Sequence, residues 1–304
     1  MSAAGAAAVA GVRLTHPERI LYPEQGVTKL ALARYYADIA DWILPQLAHR
    51  PLSLLRCPKG RAEQCFFQKH PRDAIAKHVP RVQIREKETT ALYVYVRTLA
   101  DLVALVQAST LELHVWGSRV TDLERPDMLV FDLDPGPGVA WRDVLGTAVS
   151  LRERLAAIGL ESFARTTGGK GLHVVAALVA RCGWGEAKAF ARAVAVAHAR
   201  DDPERLTANM AKTKRRGRIF LDYLRNGRGA TAIASYSTRA REGAPVAVPV
   251  RWDELTPALT SGRYGIDNVR RRLAALRTDP WEDLDAARRP LTARMLRAAG
   301  VKGA

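Results

Sequence analysis

The run Met128-Leu129-Val130-Phe131 ends in Asp132-Leu133-Asp134-Pro135, and this junction constrains the fold more than any other stretch. A short continuous apolar run closed by a proline reads as a buried strand. Side chains alternate along a strand, so Asp132 and Asp134 share one face. Two carboxylates that close repel unless a cation sits between them. The strand therefore either delivers a platform for a divalent metal, or its aspartates cap a turn, as Asp often does. A second apolar strand, Ile219-Phe220-Leu221, ends in Asp222 and offers a third carboxylate from a neighbouring strand. Three carboxylates suit Mg²⁺ or Mn²⁺, which take hard oxygen ligands.

The block Thr166-Thr167-Gly168-Gly169-Lys170-Gly171-Leu172-His173 is the second signal. A Gly-rich turn exposes backbone N–H groups to an anion, Lys170 adds a charge and Thr167 a hydroxyl. His173 opens a strand, within reach of a phosphate or a sugar hydroxyl. The block is not a Walker A loop, which needs Gly where Ala164 stands and Ser or Thr where Gly171 stands, and which leads into a helix. An ordinary turn with His173 in the core fits the same residues. Arg215 and Arg216 precede the Asp222 strand, and Arg239 follows Ser235-Tyr236-Ser237. Arginine suits bidentate phosphate contact, although a solvated basic face accounts for most single arginines. Phe66-Phe67, flanked by Arg61, Lys69 and Arg72, either stack on a base or template, or one of them packs inward.

Periodicity predicts helices over 30–43 with Thr28 as N-cap, 98–108, 144–158 stopped by Gly159, 187–199 and 266–276. Strands are predicted over 92–96, 111–115, 172–178, 230–235 and 246–250. Strands and helices mix without a βαβ rhythm, which predicts an α+β (mixed α/β) fold. At 304 residues the chain makes about two domains or one large one. No apolar run approaches the roughly 18–20 residues that span a bilayer.

Lys plus Arg number 47 against 31 Asp plus Glu, a net charge of +16. The excess is +5 over residues 1–125 and +11 over 126–304, densest at Lys212, Lys214, Arg215, Arg216 and Arg218. Such a surplus points to nucleic acid, an anionic membrane surface or another polyanion, against the plainer account of an Arg-rich soluble protein. Three cysteines, Cys57, Cys65 and Cys182, are too few for a disulfide framework, so reduced thiols and a cytoplasmic location are expected. Cys57, Cys65, His70 and His78 lack the C-x₂₋₄-C spacing of structural zinc. The Ala/Gly-rich start lacks the basic n-region of a signal peptide.

Taken in order, these pieces resemble the polymerase domain of bacterial ligase D, in the archaeo-eukaryotic primase superfamily. The resemblance runs from about His16 to Leu255. Its blocks are His16-Pro17-Glu18-Arg19-Ile20-Leu21-Tyr22-Pro23, Phe66-Phe67, Leu111-Glu112-Leu113-His114, Phe131-Asp132-Leu133-Asp134-Pro135, Thr167-Gly168-Gly169-Lys170-Gly171-Leu172-His173 and Phe220-Leu221-Asp222. It implies a primase-like catalytic fold with central sheets flanked by helices. It implies that Asp132, Asp134 and Asp222 bind two ions, Mn²⁺ or Mg²⁺, and are the catalytic residues. Thr167, Lys170, His173, Arg215 and Arg239 would hold the triphosphate and ribose, with His114 as an active-site histidine and Phe66 and Phe67 at the base or template. Arg19 and Lys29 would grip the 5′-phosphate of a downstream strand. Thr167 stands where Ser is common in the family, Arg19 where Lys is also used, and Ser235 where a Pro is familiar.

The expected layout is a disordered tail over 1–12, a polymerase body over 13–290 and a basic tail over 291–304. Within the body, 13–125 would contact DNA or template, 126–255 hold metals and nucleotide, and 256–290 carry basic helices. The expected activity is nucleotidyl transfer to a primer 3′-hydroxyl at DNA gaps or breaks in non-homologous end joining, with ribonucleotides preferred to deoxynucleotides. Ku and a DNA ligase are the implied partners, with no membrane. The rivals are a primase that starts chains de novo, a non-catalytic DNA end-binding module and, more weakly, a phosphoesterase. No Lys-x-Asp-Gly adenylation motif is present, so ligase activity is not expected; a stand-alone polymerase and a domain of a longer enzyme both fit.

Overall fold

The computed structural model describes residues 7–71 and 79–301; Arg72 and His78 of the motifs above lie outside the described residues. The chain divides into two compact units that interleave in sequence. One comprises Met1–Val115, Ile233–Ala247 and Tyr264–Arg277, the other Trp116–Ala232, Val248–Arg263 and Thr278–Ala304.

In the first unit, β1 (Leu52–Arg56) lies between β2 (Phe66–Gln68) and β3 (Thr110–Trp116), antiparallel to both. Along β3, the Ala234 N–H donates to Leu113 O at 2.8 Å. The β1–β2 register pairs Leu55 with Phe67 and Arg56 with Phe66, which makes Cys57 and Cys65 the next opposed position. These two form a disulfide, with Cα atoms 4.3 Å apart. The expectation of free thiols is thereby corrected for this pair: a hairpin register, invisible in composition, sets them face to face. Cys182 stays a buried thiol.

Helix α1 (Lys29–Asp38) starts where the Thr28 hydroxyl accepts the Ala31 N–H at 3.1 Å, an N-cap of the expected kind. The single helix expected over 30–43 breaks at Ile39, and α2 (Ala40–Leu47) continues the chain. Helix α3 (Leu99–Gln107) is closed by a reciprocal box between Thr98 and Asp101. Tyr35 and Tyr36 are buried under the segment 236–238: the Tyr35 hydroxyl donates to Tyr236 O at 2.9 Å, and the Tyr36 hydroxyl is bonded to the Thr238 hydroxyl at 3.2 Å.

The second unit is built on a six-stranded sheet. Its strands in chain order are β4 (Met128–Pro135), β5 (Phe163–Thr166), β6 (Leu172–Ala177), β7 (Leu206–Thr207), β8 (Ile219–Asp222) and β9 (Pro249–Val250). The spatial order is β7-β8-β4-β6-β5-β9, antiparallel except for β7 with β8. Helices α4 (Trp141–Ile158) and α5 (Trp184–Asp201) pack on it. Met128 and Val130 join Phe163, Val175, Ala177, Trp281 and Leu284 in one apolar cluster. Leu129, Phe131 and Leu133 alternate to the other face and are also fully buried. Each such side chain contributes roughly 1.5–3 kcal/mol on burial, so β4 is anchored from both sides. The strand runs on through both aspartates to Pro135, because Leu133 still pairs with Leu172 on one side and Leu221 on the other.

The described parts of both expected tails carry secondary structure. Ala8–Val9 pairs with Val12–Arg13, and Ala293–Ala298 is a helix with Met295 and Leu296 buried. Among the described residues no helix is long and apolar enough to cross a membrane.

Candidate active site

The registers of β8, β4, β6 and β5 set Asp222, Asp132, His173 and Arg165 side by side in one row. Asp132 follows Met128 and Val130 along the same face, so this row begins where the apolar cluster ends. Asp134 is one step further out and lies opposite Phe220. The three carboxylates expected from sequence are therefore gathered on one face.

Each carboxylate meets a cation. Arg225 spans two of them, with Nε 3.2 Å from Asp222 Oδ2 and a terminal nitrogen 3.5 Å from Asp132 Oδ2. Arg215 reaches Asp134 Oδ2 at 3.2 Å, donates to Met210 O at 2.8 Å, and stacks its guanidinium 3.9 Å from the centre of the Phe220 ring. Gly136 makes that approach of Arg215 possible: a Cβ there would fall 1.7 Å from Arg215 O. Burial, then the like charge of Asp132, pushes the Asp134 carboxyl above its ordinary range, against the pull of Arg215, Arg225 and Lys170. Burial likewise raises Asp222, with Arg225 opposing. Burial pushes His173 down to about 4, although Asp132 pulls the other way. A neutral His173 accepts from Arg165 at Nδ1, 2.8 Å away, so its proton sits on Nε2, facing Asp132 Oδ1 at 3.5 Å.

The glycine-rich turn joins β5 to β6 beside this row. The Thr167 hydroxyl donates to Gly171 O at 2.9 Å and accepts the Gly169 N–H at 3.2 Å, so it closes the turn. Ser261 also donates to Gly171 O, at 3.0 Å. Gly171 has no room for a side chain: a Cβ would lie 2.3 Å from Leu133 O and 3.4 Å from Asp132 Oδ1. Lys170 is exposed, and its charge is felt at Asp134.

The remaining expected residues belong to the first unit. His114 and Arg239 converge on Glu112, at 2.8 Å and 3.1 Å from Oε2. Phe66 and Phe67 are 42% and 63% exposed, so neither packs inward. Phe67 lies edge-on to His114 with ring centres 5.3 Å apart, and Arg56 sits over Phe66. Lys29 is buried and donates to Thr15 O at 2.9 Å and Gln107 O at 3.1 Å. Burial, then the nearby charge of Arg19, lowers the Lys29 pKa. Arg19 itself donates to Pro58 O at 2.9 Å. Sequence reasoning missed Arg225, Arg165 and Glu112. The signals existed: Arg225 is three residues beyond Asp222, and Glu112 is two before His114, on its face.

Asp132, Asp134 and Asp222 offer the hard oxygen donors that Mg²⁺ and Mn²⁺ prefer, and the raised carboxyls of Asp134 and Asp222 favour a cation beside them. Among the described residues, however, no three His, Cys, Asp or Glu side chains converge closely enough to hold an ion; the carboxylates turn to Arg215 and Arg225 instead. The donor set fits a divalent ion, and Arg225 stands as its competitor.

A carboxylate row at the end of a buried strand, beside a glycine-rich turn, matches the class of nucleotidyltransferases to which the family belongs. The chain belongs to the LigD primase-polymerase domain family, whose sequence pattern matches residues 28–281. It is 39% identical over 298 residues to the multifunctional non-homologous end joining protein LigD of Pseudomonas aeruginosa, covering 98% of this chain and 36% of that protein. The bifunctional LigD of Bacillus subtilis is 27% identical over 259 residues, covering 85% of this chain and 42% of that protein. The chain thus spans well under half the length of these relatives. The polymerase domain of Mycobacterium tuberculosis ligase D, solved in complex with DNA, superposes with a TM-score of 0.85 at 34% identity, covering 90% of this chain and 98% of that one. Use of divalent metal goes with the family.

Proposed function

We propose that this chain extends a primer 3′-hydroxyl on a DNA template at gaps and broken ends, working in non-homologous end joining. The observation that carries the reading is the row of Asp222, Asp132 and His173 beside the Gly168–Gly171 turn. Asp132, Asp134 and Asp222 would hold two ions, Mn²⁺ or Mg²⁺, which when bound lower the pKa of the attacking hydroxyl and neutralise the departing pyrophosphate. The chain's own part is binding and orientation. Lys170 and the turn's N–H groups take triphosphate oxygens, and Arg215 follows once released from Asp134. His173, neutral at pH 7, donates from Nε2 to an oxygen acceptor, while Arg165 fixes its tautomer. Thr167 keeps the turn closed. His114 and Arg239 contact the nucleotide, and a 2′-hydroxyl contact would favour ribonucleotides. Phe66 and Phe67, exposed in a basic stretch, stack on a base or template. Arg19 and Lys29, neighbouring cations whose charges are felt by each other, take a 5′-phosphate. Ku and a DNA ligase are the partners, at the bacterial nucleoid.

The test is extension of a labelled primer on gapped DNA with a 5′-phosphate, with Mn²⁺ and either NTPs or dNTPs. Templated addition that is lost in Asp134→Ala supports the reading. DNA binding without addition in wild-type protein leaves an end-binding module, and synthesis without a primer makes it a primase.

A further inference from the structure

Glu112 is the most enclosed acid that the reading above leaves without a task, with 3% of its surface exposed. It precedes His114 by two positions on β3, so the two side chains share a face. One carboxylate oxygen, Oε2, takes His114 Nε2 at 2.8 Å and faces Arg239 Nε at 3.1 Å. The other, Oε1, accepts the Ala240 N–H at 2.9 Å. Burial pushes this carboxyl up, but the bond from His114 and the charges of Arg239 and His114 outweigh it and bring it down to about 2.

Arg239 comes to this carboxylate through a specific backbone path. Tyr236 is buried in the left-handed region at φ 63°, an unfavourable place for an aromatic residue. The turn is held from both sides: Tyr236 N–H donates to Ala247 O, and Arg239 N–H donates to Pro245 O at 2.8 Å. Beyond it, Ala240 reaches Glu112 with its own N–H. The Phe67 ring lies edge-on against His114, with ring centres 5.3 Å apart. The carboxylate is thus the common point of a strand, a strained turn and two side chains.

We propose that Glu112 is a positioning residue for the incoming nucleotide: it fixes the His114 imidazole and the Arg239 guanidinium as a pair ready to meet the nucleotide's anionic and sugar oxygens. This rests on the reading that His114 and Arg239 contact the nucleotide. A free arginine side chain loses rotamer freedom when it grips a ligand, and fixing it beforehand removes that cost from binding. Glu112→Gln keeps the shape but not the arrangement. With the amide nitrogen toward His114 and Arg239, donors face donors; flipped, the amide meets the Ala240 N–H instead.

The test measures NTP KM and kcat by Mn²⁺-dependent primer extension for wild type, E112Q, R239A, H114A and E112Q/R239A. DNA affinity is read by anisotropy and folding by thermal melting. The expectation is an NTP KM raised about tenfold or more in E112Q, with kcat and DNA affinity within about threefold of wild type. Because Glu112 acts partly through Arg239 and partly through His114, the double variant is expected to lose more than R239A alone but clearly less than the product of the two single losses. A wild-type KM in E112Q while R239A raises it overturns the proposal and leaves the nucleotide reading standing. Fully multiplicative losses in the double variant also overturn it, since they mark a purely structural residue. Wild-type KM values in both R239A and H114A sink the nucleotide reading of this cluster and the proposal with it. If E112Q melts below the assay temperature, Glu112→Asp is read by the same criterion, because it keeps the charge but draws it back by one methylene.

Discussion

Substituting Gly171 by Ala puts the β4–β6 seam and the glycine turn to a direct test. The added Cβ falls 2.3 Å from Leu133 O, about an ångström short of ordinary contact. The clashing atom is backbone, so no side chain can swing away. Leu133 is paired to Leu172 on one side and Leu221 on the other, which blocks a shift of β4 in either direction. Relief therefore comes from opening the seam between β4 and β6 at its end. Overpacking of this kind costs about 1–3 kcal/mol, and a buried ladder group left unpaired costs roughly another 1–3. We expect about 4 kcal/mol in all, which lowers the melting temperature by about 10 °C for a unit of this size. The loss reaches the site, because the new Cβ also lies 3.4 Å from Asp132 Oδ1 and the turn that carries Lys170 must move with it. Melting by circular dichroism and the NTP KM are the two readouts. A variant melting within about 2 °C of wild type, with an unchanged KM, would refute the claim that this seam fixes the turn against the carboxylates.

Gly146 is the counterpart: it lies inside α4, with nothing within 4 Å of an added Cβ, so Gly146→Ala should stabilise by about 0.5–1 kcal/mol in denaturant titration. Two depressed pKa values make stability fall toward acid. His173 stays neutral when folded, so the unfolded chain binds the extra proton from about pH 6.5 down to about 4; Glu112 repeats this between its unfolded range and about 2. Each contributes on the order of 3 kcal/mol above its window and loses it through the window, which denaturant midpoints between pH 7 and pH 3 will read. A midpoint that rises on acidification contradicts both. Arg225→Ala removes the cation shared by Asp132 and Asp222, so Asp222 should titrate higher and the acid limb of the pH–rate profile should move to higher pH; an unmoved limb argues that Arg225 leaves the carboxylates in the working state. Thiol titration of denatured, non-reduced protein should find one reactive thiol, Cys182, and three after reduction.

The site's core was legible because its geometry is local. An apolar run ending in Asp-x-Asp fixes the shared face of Asp132 and Asp134 by pleat alone, and Thr28 and Gly159 mark helix ends through side-chain and backbone rules that act over a few residues. What the sequence hid depends on register between distant segments. The His173 proton position follows from Arg165 standing opposite it on β5, and the Cys57–Cys65 bridge from a hairpin offset that composition does not encode. The interleaving of the chain was hidden for the same reason: the two compact units exchange chain at five points between residues 115 and 278, each set by contacts between distant segments. Arg225 and Glu112 show the cost of searching only for groups that do chemistry. Both act through charged neighbours: Arg225 lies against Asp132 and Asp222, whose mutual repulsion it offsets, and Glu112 lies against Arg239. The repulsion that pointed to a metal applies equally to the metal-free protein, where a nearby arginine answers it. A rule follows for chains of this kind: once two close carboxylates are read from a strand, an arginine within one turn of the third is to be counted as part of the site.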